Sequence, residues 1–321
     1  MKIKMLIGFF LITTSIFAAY LTDIEQELIQ PDGTVLKCFA SGDEFFNWLH
    51  DENNYTIIRD THTGSYVYAK LAENALVPTN YIPGIHNPAD YDLEPGVNVL
   101  PNDLWERRSE FNAILAQLHN RVSTTGIINN LVIFIRFSDQ TEFEEPFSLY
   151  DNMFNLQDSN SMYEYYWEVS DEQLEIFSYS YPEPNGNVIV SYQDSHPRDY
   201  YLVYDPVSNP IGYQNNTQRT QREHTLLMNA VNYIAPQVPP TLDIDNDDDG
   251  LIDNVCFIIK GAAAGWADLL WPHMWVLFSY NVYINGVQVW AYNFQLSNSL
   301  QSSGVGVLCH EMFHSLGAPD L

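Results

Sequence analysis

Residues 307–321, VLCHEMFHSLGAPDL, set His310 and His314 four positions apart with Glu311 beside the first of them. On an α-helix such a pair lies on one face, so both imidazoles can aim a ring nitrogen at a single metal ion. Glu311 is rotated about 100° from His310, which makes it a proton acceptor beside the ion rather than a ligand. Gly317 lets the chain leave the helix sharply and Pro319 cannot continue it, so Asp320 is the expected third, oxygen, ligand. Three protein ligands leave one position for water, the arrangement of a hydrolytic zinc site. The plainer alternative is a helix carrying two histidines on a solvated face. Val305, Val307, Leu308 and Phe313 speak against it, because they supply an apolar flank that would bury the helix.

A second constellation runs from Asp245 to Asp253, DNDDDGLID. Oxygen-bearing residues alternate, Gly250 stands sixth and Asp253 ninth, the order of a calcium-binding loop. Asp245, Asp247, Asp249 and Asp253 are the candidate ligands. Position twelve is Cys256 instead of a bidentate glutamate, so a full EF-hand loop is not expected. A calcium ion here would tie the loop to a strand starting near Asn254. A solvated acidic loop is the alternative.

Several elements must hold these residues. Asn130–Phe137, NLVIFIRF, and Asn254–Lys260 are near-continuous apolar runs, the pattern of strands buried on both faces. Helices are expected at Leu104–Val122, Ser161–Val169 and His224–Ile234, and Tyr283–Gln288 is a hairpin turning on Asn285-Gly286. Closer to the N-terminus, Val35–Phe39, Tyr55–Arg59 and Tyr66–Lys70 read as short strands, with a helical turn at Asp43–His50. Residues 83–104, rich in Pro, Asn, Asp and Gly, read as a linker. Strands mixed with helices around a sheet give an α/β or α+β domain, whose strand order the sequence leaves open.

Lys2 and Lys4 before the apolar run Met5–Phe17, then Ala18 and Ala19, have the layout of a secretory signal over residues 1–18. An N-terminal anchor is the alternative. No later apolar run reaches membrane-spanning length, so an exported mature chain without a transmembrane segment is expected, extracellular or periplasmic. With 46% hydrophobic residues the chain can build a real core. The 41 acidic residues against 13 basic ones give a net charge of −28, which excludes nucleic acid as a partner because phosphates would be repelled. Three cysteines are too few for a disulfide framework. Cys256 reads as a buried small hydrophobe, and Cys309 stands one step round the helix from His310, turned from the metal.

The chain resembles the immune inhibitor A-type family of secreted bacterial zinc metalloproteases, a zincin family with metzincin-like features. The resemblance rests on residues 30–58 (QPDGTVLKCFASGDEFFNWLHDENNYTII), NLVIFIRFSD at 130–139 and YYWEVSDEQLEI at 165–176. It extends through DIDNDDDGLIDNVCFIIKG at 243–261, WPHMW at 271–275 and GVGVLCHEMFHSLGAPDL at 304–321. It implies an α+β fold: a small β-rich prosegment and linker over 19–104, then a zincin catalytic domain over 105–321. That domain's upper part would be a twisted mixed sheet with a backing helix and an active-site helix. It further implies an endopeptidase acting on protein or peptide substrates, with His310, His314 and Asp320 on Zn2+ and Glu311 as general base; Ca2+ remains the expectation from the acidic loop alone. An edge strand within Val289–Leu296 would pair with extended substrate.

The family's lower half would follow the second histidine, so a chain truncated there, with little or no turnover, is also expected. In a prosegment, the Cys38 thiolate could take the open zinc position and hold the enzyme latent; a packed strand cysteine is the alternative. His273, in WPHMW, is expected as a packed histidine or a polar group near the cleft. Two readings from other classes stand beside the protease: an inactive or truncated, protease-like, secreted calcium-binding or adhesion protein, and a zinc hydrolase of another kind sharing only the short motif.

Overall fold

A computed structural model describes residues 21–42, 47–60, 62–72, 75–98, 109, 111–114, 116, 123–262 and 269–318. The expected signal, residues 1–18, and Asp320 lie outside them.

Six strands form an antiparallel meander in chain order. They are β1 (Leu21–Ile29), β2 (Val35–Gly42), β3 (Asn47–His50), β4 (Thr56–Arg59), β5 (Tyr66–Ala72) and β6 (Ala75–Pro78). The Pro31-Asp32-Gly33 turn closes the first hairpin, where Gly33 N–H reaches the Gln30 carbonyl at 2.8 Å and Asp32 accepts from Thr34 N–H. Along β2, Leu36, Cys38 and Ala40 alternate inward, and the first two pack with Leu28, Ile57 and Tyr68. The helical turn expected over Asp43–His50 is corrected: Asn47–His50 is a strand paired with β2, while residues 43–46 lie outside the described part. Cross-strand bonding decides this, since His50 Nε2 meets Ser41 Oγ at 2.7 Å in a buried position that no local pattern encodes. The segment read as a linker has no strand among its described residues, 83–98. It packs back on the sheet through Leu93, buried, and through Tyr91 stacked on Tyr81.

The second unit begins with β7 (Gly126–Arg136), α1 (Phe147–Asn155), α2 (Met162–Val169), β8 (Leu174–Ser180) and β9 (Tyr192–Gln193). It continues with α3 (Asn216–Ile234), β10 (Asn254–Ile259), β11 (His273–Val276) and the hairpin β12 (Val282–Ile284) and β13 (Val287–Val289). It closes with β14 (Ala291–Leu296), α4 (Ser297–Ser303) and α5 (Val305–Ser315). Asn285 (φ 51°) and Gly286 (φ 92°) make the positive-φ turn the sequence predicts between β12 and β13. In the main sheet the order is β11-β14-β10-β7-β8, with β9 extending β7. All pairings are parallel except β11 with β14. The fold is mixed α+β, with several sheets.

The main sheet is covered on both sides, which is why β10 and β14 are apolar or amide-bearing at every position and wholly buried. Leu226, Leu227, Ala230, Val231 and Ile234 of α3 cover one face, against Leu131, Ile133, Phe257 and Phe294. On the other, α1, α2, α4 and α5 cover Val132, Phe134, Ile176, Cys256 and Ile258. Ser161 caps α2, accepting from Glu164 N–H at 3.1 Å, and Asn215 caps α3, which starts eight residues earlier than its apolar period announces. Of the helix expected at Leu104–Val122, residues 109, 111–114 and 116 are described and helical. The edge strand expected within Val289–Leu296 is also corrected: β14 lies between β10 and β11, and β11 is the edge. No described helix is long and apolar enough to cross a membrane.

Candidate metal centre

Helix α5 carries the candidate centre, and its two ends explain its setting. Gly304, at φ 65°, breaks the chain between α4 and α5. At the other end Gly317 adopts φ 86°, donates to the His314 carbonyl at 2.8 Å, and leaves Ala318 N–H on the Phe313 carbonyl at 3.1 Å. That pair of bonds is a Schellman closure, which only a residue at ease with positive φ completes without strain. Val305, Leu308 and Met312 anchor the helix in the core.

On this helix the Nε2 atoms of His310 and His314 stand 3.1 Å apart, their rings nearly perpendicular at 81°. Glu311 Oε1 lies 4.0 Å from His310 Nε2, and one ligand atom from each of the three residues falls within 4.8 Å of the others. Two nitrogens at about 2.0–2.1 Å from one tetrahedral ion would be separated by about 3.3 Å, so the pair fits a shared cation to within a few tenths of an ångström. The turn at Gly317 also brings the Ala318 carbonyl to His314 Nδ1 at 2.8 Å. A carbonyl only accepts, so Nδ1 carries the proton and Nε2 keeps its lone pair for a metal. His314 is buried, and Phe111 lies edge-on to its ring at 5.2 Å while stacking on Trp275 of β11. The Tyr166 hydroxyl donates to the Cys309 carbonyl at 2.7 Å, clamping α5 from the α2 side. Cys309 itself faces the core, its thiol pushed up to about 12 by burial, outside the ligand group as the sequence predicts.

The acidic loop is assembled in part. Asp245, Asp247 and Asp249 bring carboxylate oxygens within 4.8 Å of one another. Asp245 also accepts from the N–H groups of Asp249 and Gly250, each at 2.9 Å. Asp253 stands apart from that group, accepting from Asn246 N–H at 3.1 Å and Asn129 N–H at 3.4 Å. Burial pushes its carboxyl up to about 6. Burial and then the charge of Asp249 raise that of Asp247.

Cys38 is not brought to the centre. It lies inward on β2 among Leu28, Leu36 and Ile57, its thiol pushed up to about 11 by burial and hence protonated at neutral pH.

Sequence reasoning missed a buried polar cluster on the α3 face. His273 Nε2 lies 2.9 Å from Glu223 Oε1, and the Tyr292 hydroxyl donates to the same oxygen. WPHMW drew attention to His273, but Glu223 sits inside an ordinary polar helix repeat and carries no sign of burial.

No family model and no curated protein matches this chain in sequence.

Proposed function

We propose that this protein is a secreted zinc-dependent endopeptidase of the immune inhibitor A type, its second unit a zincin catalytic domain with the acidic loop as a calcium site. The observation that carries the reading is the convergence of His310 and His314 Nε2 at 3.1 Å, with the Glu311 carboxylate alongside, on one helix anchored in the core. His310 and His314 would hold the zinc, with Asp320 as third ligand. When bound, the ion supplies a Lewis acid that polarises the scissile carbonyl and acidifies water.

The chain's own residues do the rest. Glu311 takes a proton from the attacking water as its oxygen adds to the carbonyl carbon. The same carboxyl then hands that proton to the amide nitrogen as the C–N bond breaks, leaving a free acid and a free amine. The 4.0 Å between Glu311 Oε1 and His310 Nε2 keeps the base next to the ligands without making it one. Strand β11, at the sheet edge and packed on α5, offers main-chain groups to an extended peptide. Ala318, by fixing the His314 tautomer, keeps a nitrogen lone pair toward the metal position.

Zinc content and proteolysis test this together. A full-length version of the protein, supplied with zinc and freed of loosely held metal, is expected to retain one zinc per chain and to cleave casein. His310→Ala and His314→Ala should lose both. A wild-type protein without stoichiometric zinc overturns the proposal. Zinc without cleavage of any protein substrate leaves a metal site and removes the peptidase.

A further inference from the structure

Four buried polar side chains join the sheet to the metal-bearing helix. Asn254 Nδ2 on β10 donates to Asn293 Oδ1 on β14 at 2.9 Å, and Asn293 Nδ2 donates to Ser315 Oγ on α5 at 2.9 Å. Ser315 Oγ donates back to Asn254 Oδ1 at 2.9 Å, closing a ring in which every member gives one hydrogen and takes one. The second amide hydrogens are used as well. Asn254 gives its own to Asn130 Oδ1 on β7 at 2.7 Å, and Asn293 gives its own to the main-chain carbonyl of Glu311 at 2.9 Å. Asn130 in turn donates to Ser178 on β8 at 2.9 Å. Asn130, Asn254, Asn293 and Ser315 are each no more than 1% exposed.

Only one orientation of the Asn293 amide satisfies these contacts. Reversing it would face its oxygen to the Glu311 carbonyl oxygen and its nitrogen to the donating nitrogen of Asn254. The ring therefore specifies a setting, which apolar packing alone does not. Hydrophobic contact is non-directional and tolerates a helix that slides or rolls on a sheet, whereas a closed set of buried hydrogen bonds does not. The two points gripped on α5 are informative. Glu311 and Ser315 are four apart and form the row that faces the sheet, and His310 and His314 form the adjacent row.

We propose that Asn293, held by Asn254 and Ser315, is a positioning residue for the metal centre. It fixes the roll and axial setting of α5, and through them the convergence of the two imidazoles and the reach of Glu311. This inference rests on the zinc reading above.

The test compares Ser315→Ala with Leu300→Ala, a core truncation on α4 that takes no part in the hydrogen-bonded ring. Three quantities are measured on the full chain: zinc Kd by chelator competition, the visible spectrum of the cobalt(II)-loaded protein, and Tm. Ser315→Ala is expected to weaken zinc about 10-fold or more and to alter the cobalt bands. Leu300→Ala should lower Tm at least as far while leaving both metal readouts at wild type. Should Ser315→Ala not fold, Ser315→Cys, which keeps a weaker donor, takes its place. Wild-type zinc affinity and cobalt spectrum in the Ser315 variant overturn the positioning role while the zinc reading stands. So does an equal loss in Leu300→Ala, which would make the effect one of general stability. A wild-type protein that takes up no zinc overturns both.

Discussion

His314 Nδ1 and the carbonyl of Ala318, four residues on, meet at 2.8 Å, and they do so because Gly317 between them sits at φ 86°. The end of the helix is thus part of the candidate metal centre. A β-branched residue in that conformation costs about 1–2 kcal/mol, and it would open the Schellman closure. Gly317→Val is therefore expected to lower stability by about that amount and to weaken zinc binding. Urea unfolding and chelator competition measure the two. Unchanged zinc affinity would show that the Ala318 carbonyl does not set the tautomer.

In a full-length version of the protein, Glu311→Gln should separate chemistry from metal binding. The amide keeps the shape of the side chain but cannot take a proton, so kcat is expected to fall by about 10²–10⁴-fold. Bound zinc should remain at the wild-type level, because the carboxylate lies beside the two ligands. Retained activity on a quenched peptide substrate would remove Glu311 as the base.

The Glu223–His273 pair predicts a pH window for stability. Burial pushes the Glu223 carboxyl up, but the charge and hydrogen bond of His273, with Arg219, outweigh it and hold the group at about 2. Burial pushes His273 down, and Glu223 outweighs that, raising it above the usual 6.5. The Glu223 contribution is complete above its ordinary 4.5 and is lost as pH falls toward 2. The His273 contribution is complete below 6.5 and is lost as pH rises through its raised folded value. Glu223→Ala, which leaves one member of a buried pair alone, should cost about 3–5 kcal/mol near pH 5.5. The cost should shrink at a second, higher pH, above the raised folded value of His273. Denaturant unfolding at the two pH values checks both statements.

Calcium should stabilise the protein most at neutral pH. A carboxyl whose folded value lies above its unfolded one loses stability as pH rises through the interval, for Asp253 from 3.8 to about 6. A cation at the loop offsets that loss. Thermal melts with calcium and with chelator are expected to separate at pH 7.5, by about 2.7 kcal/mol at a hundredfold excess over Kd. They should converge at acid pH as Asp247, whose carboxyl burial and then Asp249 raise above 3.8, takes up its proton. Asp245→Asn should abolish the separation. Coincident melts at pH 7.5 would leave the loop merely solvated.

Much of this was legible residue by residue. The continuous apolar runs of β7 and β10 announced strands covered on both faces, and Asn285-Gly286 announced its hairpin. The spacing of His310, Glu311 and His314 announced a helix with both imidazoles on one side. Other features misled. Asn47–His50 reads as a helical turn yet forms a strand, because β2 offers it main-chain partners. Val289–Leu296 looked like a rim strand, but β14 returns antiparallel along β11, which takes the edge.

The sequence by itself determined the faces of the elements and the chemistry they carry, since period, turn conformation and residue type act within a few positions along the chain. Only the tertiary structure decided which distant faces meet. Asn130 and Asn254, 124 residues apart, open strands that read as buried, yet nothing near them in the chain names a partner for either, nor for Glu223 and His273, 50 apart. Burial turns them into directional constraints, because a polar group removed from water must find its partner inside the protein, and the order of strands in the sheet supplies that partner.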